Sequence, residues 1–143
     1  MIIKQISVFV ENKAGRLAEI TEILAKTNVD IRALSIADTT KFGILRLIVN
    51  KPEETENALK AAGLTVSLTD VIAISITDEP GGLAVAMKAL NAADIGVEYM
   101  YAFIGTPHKK AYVILRVEDN QKAIEVLTGA GIDLLKSENV YNI

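Results

Sequence analysis

Two short loops hold the residues whose types and spacing suit chemistry. In the first, Asn12, Ala14 and Gly15 stand where a β-rich run ends, and Arg16 and Leu17 open a helical run. The first backbone N–H groups of a helix have no intrahelical partner and carry part of the helix macrodipole, so such a terminus receives anions. Gly15 puts no side chain between a ligand and that backbone. A purely structural reading fits the same residues, with Asn12 as a helix cap and Gly15 as a tight turn. Residue type alone does not separate the two. The second loop, Asp78, Glu79, Pro80, Gly81, Gly82 and Leu83, offers the same strand-to-helix transition with a different charge.

Other reactive groups lead nowhere so definite. His108 is the single histidine and lies in the charged turn Thr106-Pro107-His108-Lys109-Lys110, where a solvated side chain is expected. Asp78 and Glu79 are adjacent carboxylates, and neighbours in sequence seldom converge on one bond as a hydrolase pair requires. The chain has no cysteine, which removes disulfides, thiolate metal sites and cysteine nucleophiles together. No GxGxxG, Walker, HExxH or GxSxG pattern occurs. No cofactor, metal site or catalytic residue is therefore expected, and the chain is not expected to be an enzyme. Tyr99, Tyr101 and Phe103 alternate along one strand, but a net charge of −3 gives no basic field for nucleic acid, so they are expected to face a partner or the core. Half of the 143 residues are apolar, enough for a packed core, yet no run reaches the length of a membrane span. The opening Met1-Ile2-Ile3-Lys4-Gln5 breaks its apolar stretch too early for a signal peptide. A cytoplasmic protein without membrane or nucleic-acid partners is the expectation.

The elements that position the two loops come in duplicate. Asn12 to Leu17 aligns with Asp78 to Leu83, 66 residues later, and Val29-Asp30-Ile31 aligns with Ile95-Gly96-Val97 at the same offset. Leu59 to Gly63 aligns with Leu127 to Gly131 at an offset of 68, so two residues are inserted near 106–110. In the first copy, Ile2 to Val10 reads as a strand, and Leu17, Ile20 and Leu24 fall at helical spacing. Two strands follow, 31–37 and 42–49, joined by the polar turn Asp38-Thr39-Thr40-Lys41. Pro52 opens a second helix, Gly63 closes it, and residues 64–68 form a last strand. The second copy repeats this with strands at 71–77, 97–104, 111–117 and 132–135 and helices at 82–93 and 120–130, the last closed by Gly131. The tail from Lys136 is left unassigned. The order βαββαβ, twice, is the ferredoxin-like split βαβ: an α+β chain of two domains, 1–69 and 70–143, each an antiparallel sheet with helices on one face. No Gly/Ser/Pro linker separates the halves near Asp70, so close packing is expected.

The pattern Asn12-x-x-Gly15-x-Leu17, followed by Val29-Asp30-Ile31 at the second strand, resembles the ACT domain family. Pro80-Gly81-Gly82-Leu83 is similar to that family's Pro-Gly-x-Leu loop. The resemblance spans nearly the whole chain, once per half, and is nearest to stand-alone ACT pairs that carry no enzyme domain. It implies a regulatory protein binding a small ligand, usually an amino acid, between the strand–helix loop of one domain and the start of the second strand of its neighbour. Carried over, it points to Asn12, Ala14, Gly15, Arg16 and Leu17 against Gly96, and to Asp78, Pro80, Gly81, Gly82 and Leu83 against Asp30. Ala14 departs from the family's proline, and Gly96 offers no side chain where Asp30 offers a carboxylate. An alternative role is the regulatory subunit of a biosynthetic enzyme, working mainly through protein contact with that partner. The helix from Leu83, whose only charge is Lys88, and the strand 42–49, apolar on both faces, lead to an expected homodimer. Lys13 and Arg16 beside the first loop, against Asp78 and Glu79 beside the second, lead to the expectation that the first holds a carboxylate better.

Overall fold

The computed structural model describes residues 1–38 and 41–142. The element order is β1 (Ile3–Glu11), α1 (Arg16–Lys26), β2 (Ile31–Asp38), β3 (Phe42–Val49), α2 (Pro52–Ala61), β4 (Thr65–Thr77), α3 (Gly82–Ala92), β5 (Val97–Ala102), β6 (Lys110–Val117), α4 (Asn120–Gly129), β7 (Asp133–Leu134) and α5 (Ser137–Tyr141). These elements form two compact units. One is Lys4–Thr69 together with Tyr141 and Asn142; the other is Met1–Ile3 together with Asp70–Val140.

In the N-terminal unit the strands run β2-β3-β1-β4, with β1 antiparallel to β3 and β3 antiparallel to β2. Alternation along β1 sends Ile6, Val8 and Val10 to one face, and Leu45, Leu47 and Val49 of β3 join them. Helix α1 lays Ile20 and Leu24 on that face, four residues apart and so one above the other, and α2 adds Leu59. The C-terminal unit repeats the plan with strand order β7-β4-β6-β5. Ile72, Ile74, Val113, Leu115 and Val117 meet Ala86 and Leu90 of α3 and Ala123 and Leu127 of α4. Two ferredoxin-like layers of this kind are the α+β architecture the periodicity predicts. Of the buried polar side chains, the Thr55 hydroxyl donates to the Lys51 carbonyl at 2.7 Å and Gln5 donates to Ser7 Oγ at 3.1 Å, whereas Arg32 Nε and Asn120 Oδ1 are buried without a hydrogen-bond partner among the described residues.

The structure differs from the sequence expectation at several ends. Residues 64–68 and 71–77, read as two strands, form parts of one thirteen-residue strand, β4, because nothing in Thr69-Asp70 forces a turn. The last strand shrinks to Asp133–Leu134, and the unassigned tail makes the short helix α5 with Val140 fully buried. Strand β5 stops at Ala102, although the Phe103 N–H still donates to the Tyr112 carbonyl at 3.0 Å. Helices α1 and α3 end on Asn28 (φ 56°) and Asp94 (φ 57°), two residue types that tolerate the left-handed region. The turn expected over residues 38–41 includes Thr39 and Thr40, which lie outside the described residues.

Leu59 is fully buried, whereas Leu34 on the edge strand β2 is 46% exposed. Leu59→Ala should therefore cost about 2–5 kcal/mol through lost transfer energy and a residual cavity. Leu34→Ala should stay within about 0.5 kcal/mol. Urea unfolding of the two variants checks the contrast; equal costs would contradict this assignment of the core.

Candidate functional site

Both loops are built by the same backbone hydrogen bonds. After β1, the Asn12 N–H donates to the Lys41 carbonyl at 2.9 Å, which carries the ladder one residue past the strand. The Lys13 N–H turns back to the Glu11 carbonyl at 2.8 Å, and the Arg16 N–H reaches Lys13 O at 3.3 Å. Gly15, at φ 90° and ψ −16°, is the N-cap of α1, and the first helical bond is Glu19 N–H to Gly15 O at 3.0 Å. In the C-terminal unit Asp78 N–H donates to Lys109 O, Glu79 N–H to Thr77 O and Gly82 N–H to Glu79 O, each at 3.0 Å. Gly81 takes φ 88° and ψ −9° as N-cap of α3, and the Val85 N–H donates to Gly81 O at 3.4 Å. In each loop, then, helix geometry leaves two N–H groups with no intrahelical acceptor, those of Leu17 and Ala18 and those of Leu83 and Ala84.

These bonds remove the capping reading of Asn12. Neither α1 nor α3 has a side-chain cap, so Asn12 does not cap its helix; its backbone extends the sheet. Gly15 and Gly81 are required by their left-handed angles, where any Cβ is disfavoured although nothing stands within 4 Å of it. Ala14 supports the same turn as Pro80, so the family's proline is not needed for the geometry. Gly82 has a different reason: a Cβ there would overlap the Thr77 carbonyl oxygen. Arg16 occupies the matching position in the other unit, so the backbone around the second loop is the tighter of the two.

Side chains set the two loops apart. Lys13 pairs with Glu11 and Arg16 with Glu19, each at 3.0 Å. The bonded Lys13 ammonium holds the Glu11 carboxyl below the ordinary glutamate value. Its small contribution is present above that ordinary value and fades as the pH falls through the depressed one. The two cations expected to favour an anion at the first loop are thus already engaged by carboxylates. Asp78 and Glu79 have no side-chain partner among the described residues.

A pocket of about 170 Å³ adjoins the first loop, bringing together Asn12, Arg16 and Leu17 over Val10, Ile36 and Gly43. Ile36 and Gly43 were not singled out in the sequence; their place follows from the pairing of Ala37 and Asp38 with Ile44 and Gly43. A cleft of about 440 Å³ adjoins the second loop and takes in Pro80, Gly81 and Gly82. Asp30 and Gly96 lie elsewhere in their own units. Asp30 stands beside Asn50 at the far end of β3, accepting from Asn50 N–H at 3.2 Å, while the loop follows Glu11 opposite Phe42. An eight-residue strand is about 25 Å long, so the loop and the second-strand start of one unit cannot share a small ligand. The Asp30 carboxylate is met by Arg32 at 3.4 Å. Gly96 borders a broad groove of about 710 Å³ with Asp94, Glu98, Glu118, Asp119 and Lys122, an acidic setting that the glycine itself did not announce. Asp119 also caps α4, accepting from the Lys122 N–H at 3.0 Å. His108 is exposed in its turn. No helix is long and apolar enough to cross a membrane among the described residues.

Each of the two ferredoxin-like units has a glycine-initiated helix beside a cleft. The chain belongs to the ACT domain family: the family described as an ACT domain pair matches residues 1–143. The crystal structure of protein BT0572 from Bacteroides thetaiotaomicron is 43% identical with a TM-score of 0.94, covering 100% of this chain and 98% of that one. The ligand-free regulatory subunit of aspartate kinase from Thermus thermophilus shares the fold at 17% identity and TM-score 0.61, with 89% and 91% of the two chains covered. Clostridium acetobutylicum aspartate kinase aligns at 12% identity and TM-score 0.53 over 90% of this chain but 33% of its own length. No curated protein matches the chain.

The glycine geometry yields a stability ranking. Gly15→Ala and Gly81→Ala should each cost about 1–2 kcal/mol, the penalty of a left-handed Cβ with free space around it. Gly82→Ala should cost more than either, because the backbone itself must move away from Thr77. Chemical denaturation of the three variants measures this, and a Gly82→Ala protein as stable as Gly15→Ala would contradict it.

Proposed function

We propose that this chain is a non-catalytic regulator that binds a small carboxylate-bearing metabolite, an amino acid in the first instance, at its strand–helix turns. The observation that carries the reading is the repeated turn itself: a left-handed glycine, open helix N–H groups and an adjoining pocket, twice in one chain. Asn12, Ala14, Gly15, Arg16 and Leu17 form the first candidate contact set, and Asp78, Pro80, Gly81, Gly82 and Leu83 the second. Asp30 and Gly96 are candidate contacts at the second-strand starts. The Thermus thermophilus protein of the same fold is a regulatory subunit of aspartate kinase, and this, with family membership, supports a regulatory rather than catalytic role. Regulation in this sense requires a ligand with different affinity for two states, of this chain or of a cytoplasmic partner enzyme.

A second reading, regulation mainly through protein contact, rests on the sheet face of the N-terminal unit. Phe9 and Phe42 stack there with ring centroids 5.0 Å apart, and together with Ile44 they are 36–49% exposed. Exposed aromatic clusters of this kind mark association surfaces, and a homodimer is the simplest form. Light scattering over a wide concentration range should give twice the chain mass; a constant monomer mass would remove the dimer.

The ligand-binding reading is tested by a thermal-shift screen against the twenty L-amino acids. A ligand at about a hundred times its Kd stabilises by about 2.7 kcal/mol, which raises Tm by several degrees in domains of this size. At least one amino acid should produce such a shift. A flat screen confirmed by calorimetry would leave protein contact as the function.

A further inference from the structure

The β5–β6 hairpin of the C-terminal unit carries opposite charge at its two ends. At one end Asp94, Glu98, Glu118 and Asp119 line the broad groove of about 710 Å³ around Gly96, with Lys122 beside them. Two of these carboxylates are engaged: Arg116 Nε stands 3.6 Å from Glu98, and Asp119 caps α4. Asp94 and Glu118 make no side-chain hydrogen bond or ion pair among the described residues. At the other end the turn Thr106-Pro107-His108-Lys109-Lys110 is exposed throughout. This is the turn that is two residues longer than its counterpart in the first copy. The Lys109 and Lys110 ammonium groups have no partner among the described residues. Asp78 and Glu79 lie at that end as well, but beyond β6, about 10 Å from the line of β5.

Between these ends β5 is the last strand in the order. The Phe103 N–H donates inward to the Tyr112 carbonyl, so by antiparallel alternation the N–H and C=O groups of Met100 and Ala102 point to the free edge. Met100 is 44% exposed, and Ile104 just past the strand is 65% exposed. Proteins blunt a free edge with charged side chains or proline, and residues 99–105 have neither. A two-fold axis at Tyr101 pairs Met100 of each copy with Ala102 of the other. Gly96 and Thr106 each lie five residues from Tyr101, which sets them about 17 Å on either side of that axis. The basic turn of one copy then meets the acidic groove of the other. The edge strand β2 also exposes Leu34 and Ile36, but it has no such polarity. There Asp30 is met by Arg32 at 3.4 Å, and the turn Asp38-Thr39-Thr40-Lys41 holds one charge of each sign.

We propose that a second copy of this chain occupies the free edge of the C-terminal unit, β5 against β5, with the 106–110 turn of each copy seated on the acidic groove around Gly96 of the other. Backbone hydrogen bonds and apolar contact at Met100 and Ala102 hold the centre, and the two charged contacts fix the register. The two-residue insertion thereby has a purpose that its counterpart in the first copy lacks: it carries the lysines out to the groove. The inference rests on the homodimer reading above but moves the contact from the Phe9–Phe42 face to β5.

The test is sedimentation equilibrium of the intact protein and its variants, which reads the dimer dissociation constant. Ala102→Pro removes an N–H that no strand of the chain uses, and it should weaken the dimer at least tenfold. Lys109→Glu with Lys110→Glu sets acid against acid and should also weaken it at least tenfold. Adding Asp94→Asn and Glu118→Lys to that double variant should recover most of the loss, which a merely misfolded protein would not do. Phe42→Ser, on the sheet face of the N-terminal unit, should leave the constant unchanged. Thermal melts establish that each variant is folded; if the proline variant is not, the charge variants and their rescue decide. A dimer indifferent to both the proline and the lysine variants overturns this interface and leaves the homodimer reading standing. If the unaltered protein is a monomer at every concentration, both fall.

Discussion

Helix entry through a left-handed glycine is the constraint on which the rest of each unit depends. The chain leaves a strand, reverses within a few residues and must start a helix that lies back across the sheet it has just left. Only a positive φ at Gly15 and Gly81 makes that reversal so tight. The helices then bring Ile20 and Leu24, or Ala86 and Leu90, over the strand residues that form each core. The same reversal points helix N–H groups outward at the sheet's end instead of burying them. Packing and the open helix N–H groups thus share one backbone conformation.

Duplication kept that backbone and let the side chains diverge. The loop hydrogen bonds match one for one between the units, down to Asn12 and Asp78 donating to Lys41 and Lys109. What changed is volume and pairing. The first loop is flanked by two closed ion pairs and a stacked aromatic pair. Exposed ion pairs of this kind contribute little to stability, but they occupy cations that a free carboxylate would otherwise attract. The second loop has a glycine forced by the Thr77 carbonyl, and its neighbouring charges are unengaged.

Much of this architecture was legible in the sequence, because repetition at a fixed offset and period-2 and period-3.6 patterns report on cores directly. Ile6, Val8 and Val10 or Ile20 and Leu24 have no other place to go. The glycines of the loops were legible for the same reason, since few positions tolerate φ near 90°. What stayed hidden depends on pairing across the fold. That Asn12 extends a sheet and does not cap a helix follows from Lys41, and that Arg16 is engaged follows from the rotamer of Glu19. Asp133 and Lys110 flank one strand only through a register that no local pattern encodes. The continuity of β4 through Asp70 was missed because a domain boundary by repeat and a break in secondary structure are different things.

The central claim, that the open N–H groups at the glycine turns receive a ligand, is tested most directly by amide chemical-shift mapping. The stabilising L-amino acid would be titrated into uniformly ¹⁵N-labelled protein. The account predicts that the largest saturable shifts fall at a strand–helix turn, on Leu83 and Ala84 or on Leu17 and Ala18, with the Gly81 or Gly15 amide beside them. Saturable shifts confined to the edge strands β2 and β5 or to the acidic groove around Gly96, with both turns unmoved, would contradict it.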